Sequence, residues 1–433
     1  MPRSLASSLL LASVLATAAL GHSHADAHAH IHARALPGSW YHDRRHEAHR
    51  LFRKAGDGVS YPAVGTPEWA AGFPKDKTID PSTIPQAWID ALNAAKAAGK
   101  IPNISPSTQT VPFTSPTYPG LDPNSKEICS ATYKCKNPDD LWDAPDGVFA
   151  SSFDDGPLPT SMALYEFLKS QNVVSTHFMI GVNILQNPTE FQYAFETLQS
   201  DIACHTWSHP YMTTLTNEQI VGELGFSLEI IHNSTQGRLP RYWRPPTGDS
   251  DERVRAIAKE VFGLTTVIWN QDTEDWNITA TGVITRTTVD ADLTKWITTA
   301  PKSPGLMILE HELSTDSVSA FIEHFPLIAQ NGWKFESVAR VQDGQAYQNA
   351  KDSNPDTPVT PVPVAVAVQS SPASGTSGAS KVSSGASSKT SSVKSTQTSS
   401  GNSNTSAAIT MASARAATVV AGSPAYNLSR FDT

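Results

Sequence analysis

Residues 148–157 read Val148-Phe149-Ala150-Ser151-Ser152-Phe153-Asp154-Asp155-Gly156-Pro157. Val148 to Phe153 is a short apolar run with the composition of a strand, and Gly156-Pro157 then turns the chain. In extended backbone, neighbouring side chains point to opposite sides, so one of Asp154 and Asp155 can face a metal and the other a substrate. Taken alone, the same residues fit a solvated acidic turn that caps a helix. The downstream pattern carries more weight. Thr160 to Gln171 has helical periodicity, and Ser175 to Ile180 reads as a strand. Further helices are expected at Thr189 to Gln199, Asn217 to His232, Asp251 to Phe262, Val289 to Thr298 and Val318 to Gln330. Strands are expected between them at Ile202 to Cys204, Arg241 to Trp243, Thr265 to Trp269 and Leu306 to Leu309. Repeated strand-then-helix units predict an α/β fold with a parallel sheet. A run this long can close into a barrel, and the pattern alone does not separate a barrel from an open sheet.

Four more clusters stand at the C-terminal ends of expected strands, the edge where parallel α/β folds build their sites. His205-Thr206-Trp207-Ser208-His209 offers two histidines four apart. On a helical turn they share one face, a spacing that suits two zinc ligands, and Asp155 is the natural third. The alternative is a pair of surface histidines. Arg244-Pro245-Pro246-Thr247-Gly248-Asp249 fixes an Arg rigidly, as needed to hold a carboxylate, or is simply a stiff turn. Asp272-Thr273-Glu274-Asp275-Trp276 places acids beside an indole, and Ile308-Leu309-Glu310-His311 ends a strand on a histidine.

The flanks differ in composition. Residues 1–21 have the Arg3 start, apolar Leu9-to-Leu20 core and small-residue end of an export signal. A His-rich segment, 22–62, reads as a pro-region without fixed structure. Residues 63–146 form a Pro- and Thr-rich extension with one helix expected at Pro85 to Ala98. The α/β domain takes 147–347, a Pro-rich then Ser/Thr-rich stalk 348–406, and a weakly apolar tail 407–433. Export places the chain in an oxidising compartment, where Cys129 and Cys135, flanking a short loop, are easily bridged; Cys204 is then a buried thiol. Sequons stand at Asn103, Asn233, Asn277, Asn404 and Asn427. A net charge of −9 disfavours nucleic acid as a partner and leaves neutral or cationic polymers open. No transmembrane span is expected in the mature chain, which reads as a monomer outside the cell at or near a wall. Arg415 and the polar end Asn427-Leu428-Ser429-Arg430-Phe431-Asp432-Thr433 make a lipid (GPI) anchor the weaker reading of the tail.

The five motifs, in this order, resemble the polysaccharide deacetylase family, also called the NodB homology domain or carbohydrate esterase family 4. The likeness covers roughly Gly147 to Val341, and the residues around His205-Thr206-Trp207-Ser208-His209-Pro210 are similar to the fungal chitin deacetylases within it. Ser152 and Thr247 depart from the family pattern, which has Thr and an aromatic residue there. The resemblance implies a distorted (β/α) barrel of the NodB homology type. It also implies hydrolysis of N-acetyl groups from N-acetylglucosamine units of chitin, or of acetyl groups on peptidoglycan or xylan. A catalytically inactive wall-binding protein is the rival of another class. By the same resemblance, Asp155, His205 and His209 hold one divalent metal, zinc first and cobalt second. Asp154 is the general base, oriented by Arg244, and His311 is the acid, with Asp275 favouring its cation and Asp272 a weaker candidate. The Thr247 N–H is an oxyanion donor. Trp207, Trp243 and Trp276 are candidates for stacking on sugar faces, with core packing as the alternative for each.

Overall fold

The computed structural model describes residues 56–278 and 284–366. The export signal, the His-rich segment up to residue 55, the stalk beyond 366, the tail, Asn404 and Asn427 lie outside the described residues.

The strand that opens the domain, β1 (Val148–Asp154), is buried along its whole length. Its alternation shows why. Val148 and Ala150 join an interior cluster with Phe178, Ala203, Tyr242, Val267 and Met307. Phe149 and Phe153 face the opposite way, into the larger core beneath the helices. A strand apolar on both faces suits a parallel sheet covered on both sides. From one edge of β1 the order runs outward through β2 (Thr176–Met179), β3 (Asp201–Cys204), β4 (Tyr242–Trp243) and β5 (Thr265–Thr266). On the other side of β1, β6 (Gln271–Asp272) is reached through β7 (Leu306–Leu309), while β8 (Lys334–Ser337) also pairs with β1. These pairings are all parallel. The outermost strands, β5 and β6, are separated only by residues 267–270. Within that segment Val267 N–H donates to Trp243 O and Asn270 N–H to Met307 O. One stretch of chain therefore borders both ends of the row, and the sheet curls into a distorted barrel.

The helices begin and end where local chemistry allows. The longer ones are α1 (Gln86–Ala97), α2 (Ser161–Ser170), α3 (Asn217–Ser234), α4 (Glu252–Phe262), α5 (Arg286–Thr299) and α6 (Thr315–Gln330). Reciprocal capping bonds open α3 (Thr216 with Gln219), α5 (Thr285 with Thr288) and α6 (Ser314 with Ser317). Asp251 caps α4, and left-handed Gly263 (φ 67°) ends it. The helix expected over Thr189 to Gln199 is instead Pro188–Gln192 followed by a π-helical turn, Tyr193–Leu198. β5 is shorter than expected, and β6 and β8 carry too little apolar sequence to announce themselves.

The extension is clasped to the barrel. Trp88 of α1 packs on Gly225 of α3, where an added Cβ would come within 2.3 Å of the indole. Cys129 and Cys135 are bonded, and Cys204 is a buried free thiol. Arg255 of α4 donates to Cys129 O (2.5 Å) and to Asp140 (2.9 Å).

The stalk expectation needs correction over 348–366. This segment packs on the barrel because buried Arg238 donates to the carbonyls of Asp352 (3.0 Å) and Asn354 (2.8 Å). Val359 and Ala365 are also buried.

Candidate active site

Parallel register puts the ends of β1, β3, β4, β6 and β7 at one edge, and the singled-out residues leave from there. The two carboxylates take different partners, although strand alternation does not place them: β1 ends at Asp154, and both approach His205 Nε2, Asp154 Oδ2 at 3.8 Å and Asp155 Oδ1 at 3.3 Å. Asp154, the last residue of β1, is held by its backbone: its N–H donates to Glu310 O (2.9 Å) and its O accepts from Glu312 N–H (3.1 Å). Asp155 follows in a left-handed conformation (φ 72°), and Asn183 donates to its carbonyl (2.8 Å).

His205 and His209 do not lie on a helix, contrary to expectation. They sit in a loop after β3 in which Thr206 (φ 66°) and His209 (φ 64°) are both left-handed. Two such residues fold the loop tightly enough to bring the rings to 5.0 Å between centroids. Glu223 of α3 holds the turn, accepting from the N–H groups of Trp207 (3.0 Å) and Ser208 (2.8 Å) and from Ser208 Oγ (2.7 Å).

Asp155, His205 and His209 form a group able to hold a metal ion. Asp155 Oδ1 lies 3.3 Å from His205 Nε2 and 3.4 Å from His209 Nε2. A tetrahedral cation with bonds of about 2.0–2.1 Å sets its ligand atoms ~3.4 Å apart, so the spacing fits zinc-sized ions. His205 Nδ1 is tied to Arg244 O at 2.8 Å, which turns Nε2 toward the group, the usual outer-shell device. Burial pushes the His209 pKa down, favouring the neutral ring that a ligand must be. Burial opposes ionisation of Asp155, yet His209, His205 and His311 hold its carboxyl well below the usual range.

Two pairs flank this group. Arg244, fully buried, donates to Asp154 Oδ1 (2.6 Å), Ser152 Oγ (3.0 Å) and Ile268 O (3.3 Å), with its guanidinium 4.2 Å from the Phe178 ring centroid. Asp154 Oδ2 is left 3.8 Å from His205 Nε2. On the other side Asp275 meets His311 twice, Oδ1 with Nδ1 (2.6 Å) and Oδ2 with the backbone N–H (2.9 Å). Thr273 Oγ1 also donates to Asp275 Oδ1 (3.0 Å). Burial works against a charged His311, but the charge and hydrogen bond of Asp275 outweigh it and raise its pKa to about 10.

Asp272 accepts from Glu274 N–H (2.9 Å) and Trp269 Nε1 (3.2 Å), and it also interacts electrostatically with His311 and Arg244. Other expected residues stand elsewhere. Trp207 is fully buried, with its ring against Gly181 and its Nε1 donating to Asp76 O (2.7 Å). Its indole belongs to the core and faces no glycan. Trp243 is likewise buried, whereas Trp276 is half-exposed. Thr247 is exposed in a left-handed conformation (φ 55°). Of the sequons, Asn103 is exposed and Asn233 half-buried. Asn277 is only 5% exposed, which removes it as a glycan acceptor in the folded chain.

Glu223, His177 and Glu312 were not singled out from sequence. His177 Nδ1 and Glu312 Oε1 pair in full burial behind the Asp154–Gly156 turn, and Glu312 presses on Gly156 so closely that an added Cβ would lie 2.6 Å from its Oε2. A histidine interrupting the apolar strand Thr176-His177-Phe178-Met179 was the one available signal.

A family model described as polysaccharide deacetylase matches residues 143–267. A chitin deacetylase 3 of Cryptococcus neoformans is 42% identical over 340 residues, covering 76% of this chain and 78% of that one. Chitin deacetylase 1 of Saccharomyces cerevisiae is 34% identical over 271 residues, 61% of this chain and 80% of that one. Among solved structures, the chitin deacetylase of Colletotrichum lindemuthianum aligns over 48% of this chain and 94% of its own, at 20% identity and a TM-score of 0.43.

Proposed function

The chain belongs to the polysaccharide deacetylase family, and from that premise we propose that it removes N-acetyl groups from the N-acetylglucosamine units of chitin, yielding acetate and glucosamine units. The observation that carries this reading is the metal-ligand trio flanked on one side by a carboxylate clamped to a buried Arg and on the other by a histidine clamped to a buried Asp. Asp155, His205 and His209 would hold one divalent cation, zinc first and cobalt second by donor type, supplying Lewis acidity to the water and the acetyl carbonyl. Asp154 takes a proton from the attacking water. Arg244 occupies its Oδ1, leaving Oδ2 to accept. The exposed Thr247 N–H is assigned to the oxyanion that develops as water adds to the carbonyl carbon. His311 delivers a proton from Nε2 to the departing nitrogen as the carbon–nitrogen bond breaks; Asp275 on Nδ1 keeps the ring cationic for that step. An inert binding protein would have no use for both proton-transfer pairs.

We place the mature protein outside the cell at or near the wall. No described helix is long and apolar enough to cross a membrane. The function is tested by acetate release from chitin oligomers with and without a chelator, beside acetylated xylan and peptidoglycan fragments. Chelator-sensitive release from chitin is expected. Release only from the other two polymers would overturn the substrate assignment.

A further inference from the structure

Residues 108–117 of the extension form a closed loop, pinned at its neck by Thr108 N–H to Thr117 O and Thr117 N–H to Thr108 O, both 2.8 Å. The neck is fastened beside the His loop: Ser107 N–H donates to Thr213 O (2.9 Å), and the two hydroxyls share a bond of 2.5 Å. From there the loop touches two sides of the site. Gln109 lies near the hydroxyl of Tyr211, two residues after His209, and Thr247 lies near it too. At the other side Phe113 lies nearly parallel to Trp276, with ring centroids 6.5 Å apart and planes 18° off. Trp276 directly follows Asp275, the partner of His311. The loop therefore spans from the oxyanion side of the site to the acid side.

Phe113 is costly as mere decoration. It is 62% exposed and its backbone is left-handed (φ 60°), a conformation unfavourable for an aromatic residue. Val111, on the same loop, is 49% exposed. Near-parallel aromatic faces beside a candidate hydrolytic site suit the flat apolar C–H faces of pyranose rings, and neutral sugars need no compensating charge.

We propose that Phe113 and Trp276 form an aromatic platform for a sugar unit adjacent to the one being deacetylated, so that the extension loop sets the preference for chain length. This rests on the chitin reading above. Phe113 is a specificity residue and touches none of the reacting atoms.

The test compares wild type, Phe113→Ala and Phe113→Tyr on N-acetylglucosamine dimer and hexamer and on a small activated acetyl ester. Phe113→Ala should lower kcat/KM on the hexamer about tenfold, mainly through KM, and leave the ester unchanged; Phe113→Tyr should restore most of the loss. Hexamer binding is measured in parallel by the quenching of tryptophan fluorescence and should weaken about tenfold in Phe113→Ala. Hexamer binding and turnover unchanged in Phe113→Ala, or an equal loss on dimer, hexamer and ester, would overturn the platform. A wild type that binds hexamer but releases no acetate from it would sink the deacetylase reading instead, leaving the binding comparison to decide the platform.

Discussion

Asp154 and Asp155 are neighbours with the same side chain, and their surroundings give them different work. Asp155 faces two imidazoles; Asp154 faces a guanidinium. Replacing Asp154 by Asn removes the proton acceptor and keeps the ligand trio. Metal content should stay at the wild-type level while acetate release falls at least about a hundredfold. Metal analysis beside a turnover assay checks this, and near-normal turnover would remove Asp154 from the base role. The acid side has a pH signature. The His311 pKa is raised from 6.5 to about 10, so its cation persists through neutral pH and is lost as pH rises through the folded value. Asp275→Asn takes away the chief group favouring that cation. The alkaline limb of kcat/KM should then move to lower pH, and a limb that stays in place would show that another group sets it.

Among the elements, α3 shows how a scaffold helix serves chemistry. Its Glu223 ties down the His loop, its Gly225 receives Trp88, and its Glu229 is a half-buried carboxyl. Burial raises the Glu229 pKa from 4.5 to about 7. Below the unfolded value both states hold the proton and no penalty arises. As pH rises toward 7 the unfolded chain releases it more readily, so stability drains away across that window. Glu229→Gln should match wild type in Tm near pH 4 and exceed it above pH 7; equal melting curves at both pH values would refute the burial account. The helices were legible because apolar periodicity is a local signal. The capping bond of Thr216 with Gln219 lies within a single turn of sequence too, but it became apparent only in the structure. The site was legible as five clusters because each follows an apolar strand. What stayed hidden depends on partners remote in the chain. Glu312 pairs with a residue 135 positions earlier, and the 348–366 segment looks unstructured until the buried Arg238 it covers is known. The His205/His209 spacing pointed to a pair that the structure does bring together, but through the wrong geometry, since two left-handed residues close the loop in place of a helical turn.

At the scale of the whole molecule, the barrel wears a belt made from both flanks. The extension supplies Trp69, Trp88 and Leu92 to the main core, and the C-terminal segment supplies Ala365. A chain cut after Tyr347 would strip Arg238 of its carbonyl acceptors at Asp352, Asn354 and Thr357. Losing those bonds and the packing of Val359 and Ala365 costs a few kcal/mol, about 5 °C or more in Tm for a domain of this size. Arg238→Met in the full-length chain should also lower Tm, because it leaves the same carbonyls without their donor. A thermal melt of the three proteins decides it, and an unchanged Tm after the cut would refute the belt.

The central place of β1 has a temporal consequence. Its neighbours arrive at very different moments of synthesis: β2 almost at once, β7 and β8 only after most of the domain has emerged. The ligand trio is complete once His209 has been made, whereas His311 is still unmade and the backbone bonds that Asp154 shares with Glu310 and Glu312 have no partners. The three residues of the candidate metal site are thus made well before the proposed proton donor, and Glu223 and Arg244, which hold the His loop, come between. On the proposed mechanism, proton delivery waits for His311, with β8 and the segment that covers Arg238 still to come.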